Sequence, residues 1–311
     1  MKPTVKICLA GLFVAASSLS VAAQGFERQS PELRFGAEVD TVAQVSDESS
    51  DVAQLEQFAT PTLSLSARFR WRNERGDQIV LEPGVTARSF AGGSELDDNT
   101  VFLFGNYTYN LPNIDRAQLR FRAGIERNAR FPEERFLRYT AQAALNLRQD
   151  GGRSATYTLR YRFRDQNEDN SFDGFDQSQY LLSARYSWFS RERPFELVAV
   201  TPFLEVRDAD ADNFDSDAFG VRAQARYRVE DDLTVTFRAN ALVRDFDGVF
   251  SAAYPIARED RRVSVETEIR KDVGASGALF GAIGYESNNS NIVVRDYSGA
   301  TFRLGYELAL P

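Results

Sequence analysis

Arginine recurs at every second position in several segments of this 311-residue chain, and it is the side chain best placed to do chemistry. Residues 156–164 read TYTLRYRFR. If this segment is extended, Arg160 and Arg162 lie on one face and Tyr157 and Leu159 on the other. Arginine stays charged and grips carboxylates and other oxyanions through a planar fork. Such a face suits two roles: guiding anions through water, or pairing with carboxylates on neighbouring strands.

The alternation of apolar and charged residues predicts β-strands, because only a strand places successive side chains on opposite faces. Long strands with one apolar and one charged face are typical of membrane barrels. The sequence therefore predicts an all-β fold, a transmembrane antiparallel up-and-down β-barrel of about 14 strands, with twelve and sixteen as alternative counts. The predicted strands cover residues 32–45, 60–72, 78–90, 99–111, 117–127, 136–148, 155–165, 178–189, 196–207, 219–229, 233–245, 261–271, 278–287 and 299–310.

The connections between these strands fall into two classes that broadly alternate along the chain. The short class is rich in turn formers and covers 73–77, 112–115, 149–152 and 230–232. The longer class is polar or acidic and covers 46–59, 166–177, 208–218, 246–260 and 287–298. Short periplasmic turns and long extracellular loops are typical of barrels in the outer membrane of Gram-negative cells. We therefore predict that location, with both chain ends on the periplasmic side.

Two predicted strands contain proline, which removes a hydrogen bond from the strand ladder. Pro83 and Pro202 are therefore expected to mark a bulge or a change of register. In 196–207 the outward residues are either Val198, Val200 and their alternates or the opposite set, and the pattern leaves both open.

The charged face is predicted to line the pore of the barrel. The residues assigned to it are Arg68, Arg70, Arg120, Arg122, Arg138, Arg160, Arg162, Arg185, Arg226, Arg238, Arg270, Arg303, Glu126, Glu205, Glu266, Glu268 and Glu307. Tyrosine and tryptophan gather near strand ends, as in the aromatic girdles that lie at the membrane interface. The predicted girdle residues are Trp71, Tyr107, Tyr186, Trp188 and Tyr227.

The two ends of the chain carry targeting features. Residues 1–23 form a predicted signal peptide, with Lys2 and Lys6 before an apolar run and the small residues VAA at 21–23, which leaves 24–311 as the barrel. At the other end, Arg303, Gly305, Leu308 and Leu310 resemble the C-terminal signal that barrel-assembly machinery reads. The expected partners are that machinery, outer-membrane lipid and lipopolysaccharide.

The residues that the chain lacks exclude several kinds of chemistry. Histidine is absent and the single cysteine, Cys8, lies in the predicted signal peptide, which removes the commonest general base and any thiol nucleophile. We therefore predict no enzyme activity, no cofactor and no metal. The acidic run DADAD at 208–212 lacks the glycine and distal glutamate of a calcium-binding loop. A net charge of −8 argues against nucleic acid as a partner.

The end of the chain resembles a known family. Residues 261–264 read RRVS at the start of a strand, YESNNSNI at 285–292 ends the next, and Asp296 and Tyr297 lead into the last strand with its Gly305. These motifs resemble the C-terminal barrel of surface lipoprotein assembly modifiers, and are also similar to β-barrel porins linked to exopolysaccharide export. The resemblance implies a conduit that works with a periplasmic partner.

Three functions follow from the sequence. The first is an Arg-lined aqueous pore for porin-like transport of small hydrophilic solutes, because a barrel of about fourteen strands is too wide for its own side chains to fill. The second is the secretion or surface-display conduit that the resemblance implies. The third is a structural or adhesive barrel with acidic surface loops. We expect no N-terminal plug, and we expect 246–260 to be the loop that folds inward if any loop narrows the pore.

Overall fold

A computed structural model describes residues 25–40, 60–89, 98–112, 114, 116–130, 133–167, 176–190 and 195–310. The predicted signal peptide lies outside the described residues. The strands are β1 (Phe26–Arg28), β2 (Glu32–Asp40), β3 (Thr60–Asn73), β4 (Gln78–Arg88), β5 (Asp98–Asn110), β6 (Ala117–Arg130), β7 (Glu133–Gln149), β8 (Arg153–Gln166), β9 (Gln177–Phe189), β10 (Phe195–Ala209), β11 (Ser216–Glu230), β12 (Leu233–Val249), β13 (Ala257–Val273), β14 (Gly277–Ser290) and β15 (Tyr297–Leu310). Among the described residues, no helix has the length and apolar character needed to cross a membrane.

The strands close into one antiparallel barrel. Each strand from β2 to β14 pairs with the next along the chain, and β15 pairs back onto β2 from Arg303 opposite Asp40 to Leu310 opposite Leu33. The short β1 pairs with the end of β3, while β2 pairs with the rest of it, so β1 and β2 act as one interrupted strand. The barrel therefore has fourteen strands, and the predicted fold class and count are confirmed.

The connections place both described ends on one side of the barrel. Short turns follow β3, β5, β7, β9, β11 and β13, and these turns lie at the end where β1 begins and β15 ends. This is the asymmetry of an outer-membrane barrel, in which short turns and both termini face the periplasm. We call this end periplasmic and the opposite end extracellular.

The outer face of the barrel carries the apolar side chains that lipid requires. In β10 the exposed residues are Val198, Val200, Leu204 and Val206, which decides between the two alternatives for that strand. Elsewhere the same face exposes large hydrophobic residues, among them Leu63, Tyr157, Leu159, Leu182, Phe219, Phe237, Val263, Ile269, Ile283, Phe302 and Leu304. Along the middle of the strands their parity is opposite to that of the charged residues, as it is in a lipid-facing barrel wall, and charged residues of outward parity such as Arg153 and Lys271 lie near strand ends.

The expectation of a register change at the prolines is wrong. Pro83 loses its pairing with β3 but stays opposite Leu103 of β5, and the β3–β4 register is the same on either side of the gap. Pro202 likewise loses its pairing with β9 only and stays opposite Val221 of β11. The missing N–H points towards one neighbour, so one ladder contact is lost and neither strand shifts.

The segment 246–260 is also different from the expected inward loop. Most of it belongs to the ends of β12 and β13, which still pair at Val249 and Ala257, so only 250–256 connect them. The β12–β13 register shifts between Asp245 and Val249, and pairing resumes at Val249 with Ala257.

Candidate functional site

The register brings all of the predicted pore-lining residues to one face of the sheet, opposite the exposed apolar residues. Ion pairs identify this face as the inner one. Arg303 of β15 lies 3.2 Å from Glu266 of β13, although β14 separates the two strands. Side chains from strands that are not neighbours meet only on the concave side of a curved sheet. That these residues line a conducting pore stays a prediction.

One part of the inner wall is neutralised by a network of four charges. Arg238 donates to Glu266 at 2.6 Å and to Glu268 at 3.0 Å. Arg303 donates to Glu268 at 2.9 Å and also approaches Glu38 on the far side of the β15–β2 seam. We call Arg238, Arg303, Glu266 and Glu268 the paired network. It braces the last strands of the barrel across the seam that closes it.

A second, more buried pair of contacts lies nearer the extracellular end. The carboxylate of Glu205 on β10 accepts from Nε of Arg207 at 2.9 Å and from Nη2 of Arg244 on β12 at 2.7 Å. The side chains of Glu205 and Arg244 are 7% and 9% exposed. Two strands on either side of β11 are therefore joined by charge at a place where little water reaches.

The extracellular end of the inner wall is closely packed between β12 and β15. Arg258 donates from Nε and Nη2, on one edge of its guanidinium, to the two carboxylate oxygens of Asp260, and it stacks on Phe246, 4.6 Å from the ring centre. Arg295, in the turn before β15, covers Phe250 at 5.4 Å. Aromatic and charged contacts thus pack this hairpin against the turn that precedes β15.

A further group of inner arginines has no carboxylate partner among the described residues. We define the arginine sector by Arg120, Arg122, Arg160, Arg162, Arg185 and Arg222 on β6, β8, β9 and β11. Within the described part of the chain, none of them makes an ion pair. Nε of both Arg160 and Arg162 is buried without a hydrogen-bond partner there, and Arg185 bonds only to neutral side chains. The inner wall therefore has a braced side and a positively charged side.

Four phenylalanines on the inner face each lie opposite a glycine of the adjacent strand. The pairs are Phe102 with Gly84, Phe104 with Gly124, Phe203 with Gly220 and Phe280 with Gly305. In each pair the tip of the ring occupies the space that a Cβ would need. The rings therefore lie against the wall instead of filling the lumen.

Three of these rings also support an arginine. Arg122 lies 4.0 Å from the centre of the Phe104 ring, Arg222 lies 4.2 Å from Phe203, and Arg303 lies at 5.3 Å from Phe280. Cation–π contact holds a guanidinium in place without neutralising it. The sequence interpretation missed these rings because it sorted the inner face by charge alone. A glycine and a phenylalanine of inward parity on adjacent strands would have signalled them.

A central cavity of about 690 Å³ lies within the barrel. Residues on ten strands, β2, β4 and β8 to β15, line it, which identifies it as part of the lumen. Its charged lining consists of five arginines and three carboxylates: Arg88, Arg185, Arg222, Arg238, Arg303, Asp40, Glu266 and Glu286. Arg185 and Arg222 of the arginine sector and Arg238, Arg303 and Glu266 of the paired network therefore line the same cavity.

The predicted girdle aromatics all lie near the periplasmic ends of their strands. Tyr107, Tyr186 and Trp188 are exposed on the outer face, and Tyr186 meets Tyr157 edge-on. Tyr227 contacts Phe195 in the same way. Trp71 is covered instead, because it packs with Phe69 against neighbours on β1 and β4.

The predicted insertion signal is divided between the two faces of β15. Arg303 and Gly305 point inward, and Gly305 lies under Phe280. Leu308 and Leu310 have the outward parity, and Leu310 is exposed. Gly305 thus has a packing role in the finished barrel whether or not the assembly machinery reads it.

No protein-family model matches this sequence, and no curated protein is significantly similar to it. Among solved structures, the barrel is similar to OmpT folded in vitro, an outer membrane protein of Vibrio cholerae. The TM-score is 0.53 at 10% identity, and the match covers 93% of this chain and 99% of that one. OmpT expressed in the outer membrane gives 0.51 at 8% identity over 93% and 99%, and its trimer form gives 0.53 at 9% over 92% and 100%.

At these identities the likeness shows the fold. The protein is an outer-membrane β-barrel. Its closed sheet and its apolar outer face locate it in the outer membrane. At 8–10% identity the similarity covers the backbone of the barrel and not the side chains of the inner wall.

Proposed function

We propose that the barrel is a porin-like pore that passes small hydrophilic solutes and favours anions, and that it is not an enzyme. The observation that carries this proposal is the arginine sector, which lies on the inner face and makes no ion pair with a described residue; two of its members, Arg185 and Arg222, line the central cavity. Uncompensated charge of one sign along a narrow path raises the local concentration of the opposite ion. The remaining inner arginines of the predicted set are proposed to line the same path.

The geometry of the wall supports an open path. Phe102, Phe104, Phe203 and Phe280 lie over glycines, so large rings are kept out of the lumen. The central cavity touches strands on opposite sides of the barrel, as an aqueous channel does. The charged residues of the paired network form ion pairs with each other, so they stabilise the wall and do not attract ions into the lumen.

Single-channel recording tests this function. The refolded barrel, residues 24–311, is expected to open in a planar bilayer with steady conductance and an anion-leaning reversal potential in a salt gradient. Arg160→Gln with Arg162→Gln should shift the anion-to-cation permeability ratio towards cations by several-fold, because two uncompensated charges leave the lumen.

The matched control is Arg116→Gln with Arg153→Gln. It removes the same net charge from a periplasmic turn and from the outward-parity start of β8. It should leave the permeability ratio close to that of the parent. A silent barrel, or equal shifts in both double variants, would contradict an arginine-lined pore.

A second candidate is a secretion or surface-display conduit that works with a periplasmic partner. It rests on the resemblance of 261–264, 285–292 and the last strand to surface lipoprotein assembly modifiers. Under this proposal the refolded barrel alone stays closed, and deletion of the gene changes which proteins or glycans reach the cell surface. In either case the proposed partners are the barrel-assembly machinery during insertion, and lipid and lipopolysaccharide afterwards.

A further inference from the structure

A second cavity, of about 610 Å³, opens at the periplasmic end of the barrel between β3 and β7. Four arginines line it: Arg72, Arg120, Arg122 and Arg148. We call these four residues the periplasmic arginine pocket. Arg72 lies next to the end of β3 and Arg148 next to the end of β7, so the pocket adjoins two of the short turns.

The positive charge of this pocket is not balanced locally. Its described lining contains no carboxylate, and none of the four arginines forms an ion pair with a described residue. Glu27 is opposite Arg72 in the β1–β3 register, yet the two do not pair. Arg120 and Arg148 line the same cavity, so like charges share it.

A neighbouring cavity on the same side of the barrel shows the contrast. That cavity is about 540 Å³ and is lined by Arg34 and Arg270 together with Glu82, Asp272 and Glu307. Arg270 donates to Glu307 at 2.7 Å and Arg34 to Glu32 at 2.5 Å. The chain therefore neutralises arginines at one periplasmic cavity and leaves them unpaired at the other.

Neutral contacts hold two of the arginines in place. Arg122 stacks on Phe104, whose ring covers Gly124. Arg120 donates to Gln118 at 3.2 Å, and Gln118 donates to Asn110 at 2.8 Å. These contacts orient the guanidinium groups before any ligand arrives, which lowers the entropy cost of binding.

The remaining polar lining consists of amide and hydroxyl groups from Gln78, Asn106, Thr108, Gln118 and Gln142. Amides offer both donors and acceptors, which suits the hydroxyl groups of a sugar. Arginine forks bind carboxylate or phosphate through two parallel hydrogen bonds. The two kinds of group lie in one cavity, large enough for a monosaccharide-sized ligand.

We propose that the periplasmic arginine pocket binds a small hydroxylated oxyanion, with its charged group on the arginines and its hydroxyls on the amides. Sugar acids and sugar phosphates share this chemistry. The inference deepens the proposed pore by assigning it a solute class and a binding step at the periplasmic end.

Calorimetric titration of the refolded barrel in detergent at low salt tests the pocket, with gluconate, glucose 6-phosphate and glucose as probes. Binding of gluconate, of glucose 6-phosphate or of both, at least tenfold tighter than glucose, supports the proposal and identifies the source of the oxyanion. Arg120→Gln with Arg148→Gln should weaken that binding at least tenfold.

Arg34→Gln with Arg270→Gln is the matched control, since it removes two arginines from the neutralised cavity, and its affinity should stay within twofold of the parent. Glucose binding as tightly as the anions, inorganic phosphate binding as tightly as glucose 6-phosphate, or equal losses in the two double variants would overturn the proposal. Conductance recorded on the same preparations separates the two claims. Openings without binding overturn the pocket alone, whereas binding to a silent barrel supports the pocket and overturns the pore.

Discussion

Replacing Glu205 with alanine is expected to lower the free energy of unfolding of the barrel by about 3 kcal/mol, the lower end of the range for breaking a buried ion pair. Glu205 accepts hydrogen bonds from both Arg207 and Arg244, and its side chain is only 7% exposed. Without the carboxylate, two guanidinium groups stay in a place where water solvates them poorly. Water in the lumen offsets part of this cost, which is why the lower end applies.

Glu307→Ala is the matched control because it breaks an ion pair of the same length in the exposed part of the wall. The Arg270–Glu307 pair has side chains that are 36% and 53% exposed, and pairs of this kind contribute about 1 kcal/mol or less. Urea unfolding of the barrel folded into lipid vesicles, followed by tryptophan fluorescence, measures both variants. Equal losses of stability in the two variants would show that burial of Glu205 is not what makes its contacts strong.

The fold could be predicted because each strand of the wall alternates apolar and polar side chains along the sequence. A one-residue error in register would move a whole strand's apolar face into the lumen, so selection keeps the alternation strict. β10 was ambiguous for a physical reason. Leu197 and Phe203 lie on its inner face beside Glu205, so both faces of this strand carry apolar residues. Only the partner strand, with Gly220 under Phe203, explains why a large ring faces inward there.

For the inner wall, the sequence predicted which residues lie there but not which of them form ion pairs. Parity assigned the arginines and glutamates to one face, but it could not say which arginines are neutralised. The Arg244–Glu205 pair joins residues 39 positions apart across an intervening strand, and such a contact depends on register and curvature together. Arg72 and Arg148 were missed for another reason. Each is the last residue of its predicted strand, 60–72 or 136–148, beside a turn, where the alternation alone does not show whether a side chain still faces the lumen.

Arginine therefore has two roles in this wall: it links strands through ion pairs, and it carries positive charge on the inner face. Arginines beside glutamates tie β10 to β12 and close the seam between β15 and β2. Arg122 and Arg222 stack on phenylalanine rings, make no ion pair with a described residue, and keep their charge available to solutes. Glycine makes the second arrangement possible, because a flat-lying ring needs a neighbour without a side chain. Gly84 is the best position at which to measure how much the stability of the wall depends on a glycine beneath a phenylalanine ring, because the Phe102 ring lies nearest to its added Cβ.

Gly84→Ala is expected to lower the free energy of unfolding by about 1–3 kcal/mol, the usual cost of overpacking. The atoms nearest to the added Cβ all belong to the Phe102 ring, so the ring must leave its place and turn towards the lumen. Gly105→Ala, on the outer face of β5 with nothing within 4 Å of its Cβ, should be neutral or slightly stabilising. Urea unfolding in vesicles measures both, and single-channel recording should show lower conductance for Gly84→Ala only.

A double-mutant cycle with Phe102→Ala separates overpacking from a general effect of alanine at this position. In the parent, Phe102→Ala uncovers the glycine and costs stability. In the Gly84→Ala background it relieves the clash, so the loss should be smaller or reversed, with a coupling energy of about 1–2 kcal/mol. Conductance should return towards the parent value in the double variant, because the displaced ring is gone. Strictly additive free energies would show that Phe102 does not lie on Gly84 and that something other than glycine keeps the lumen clear of its ring.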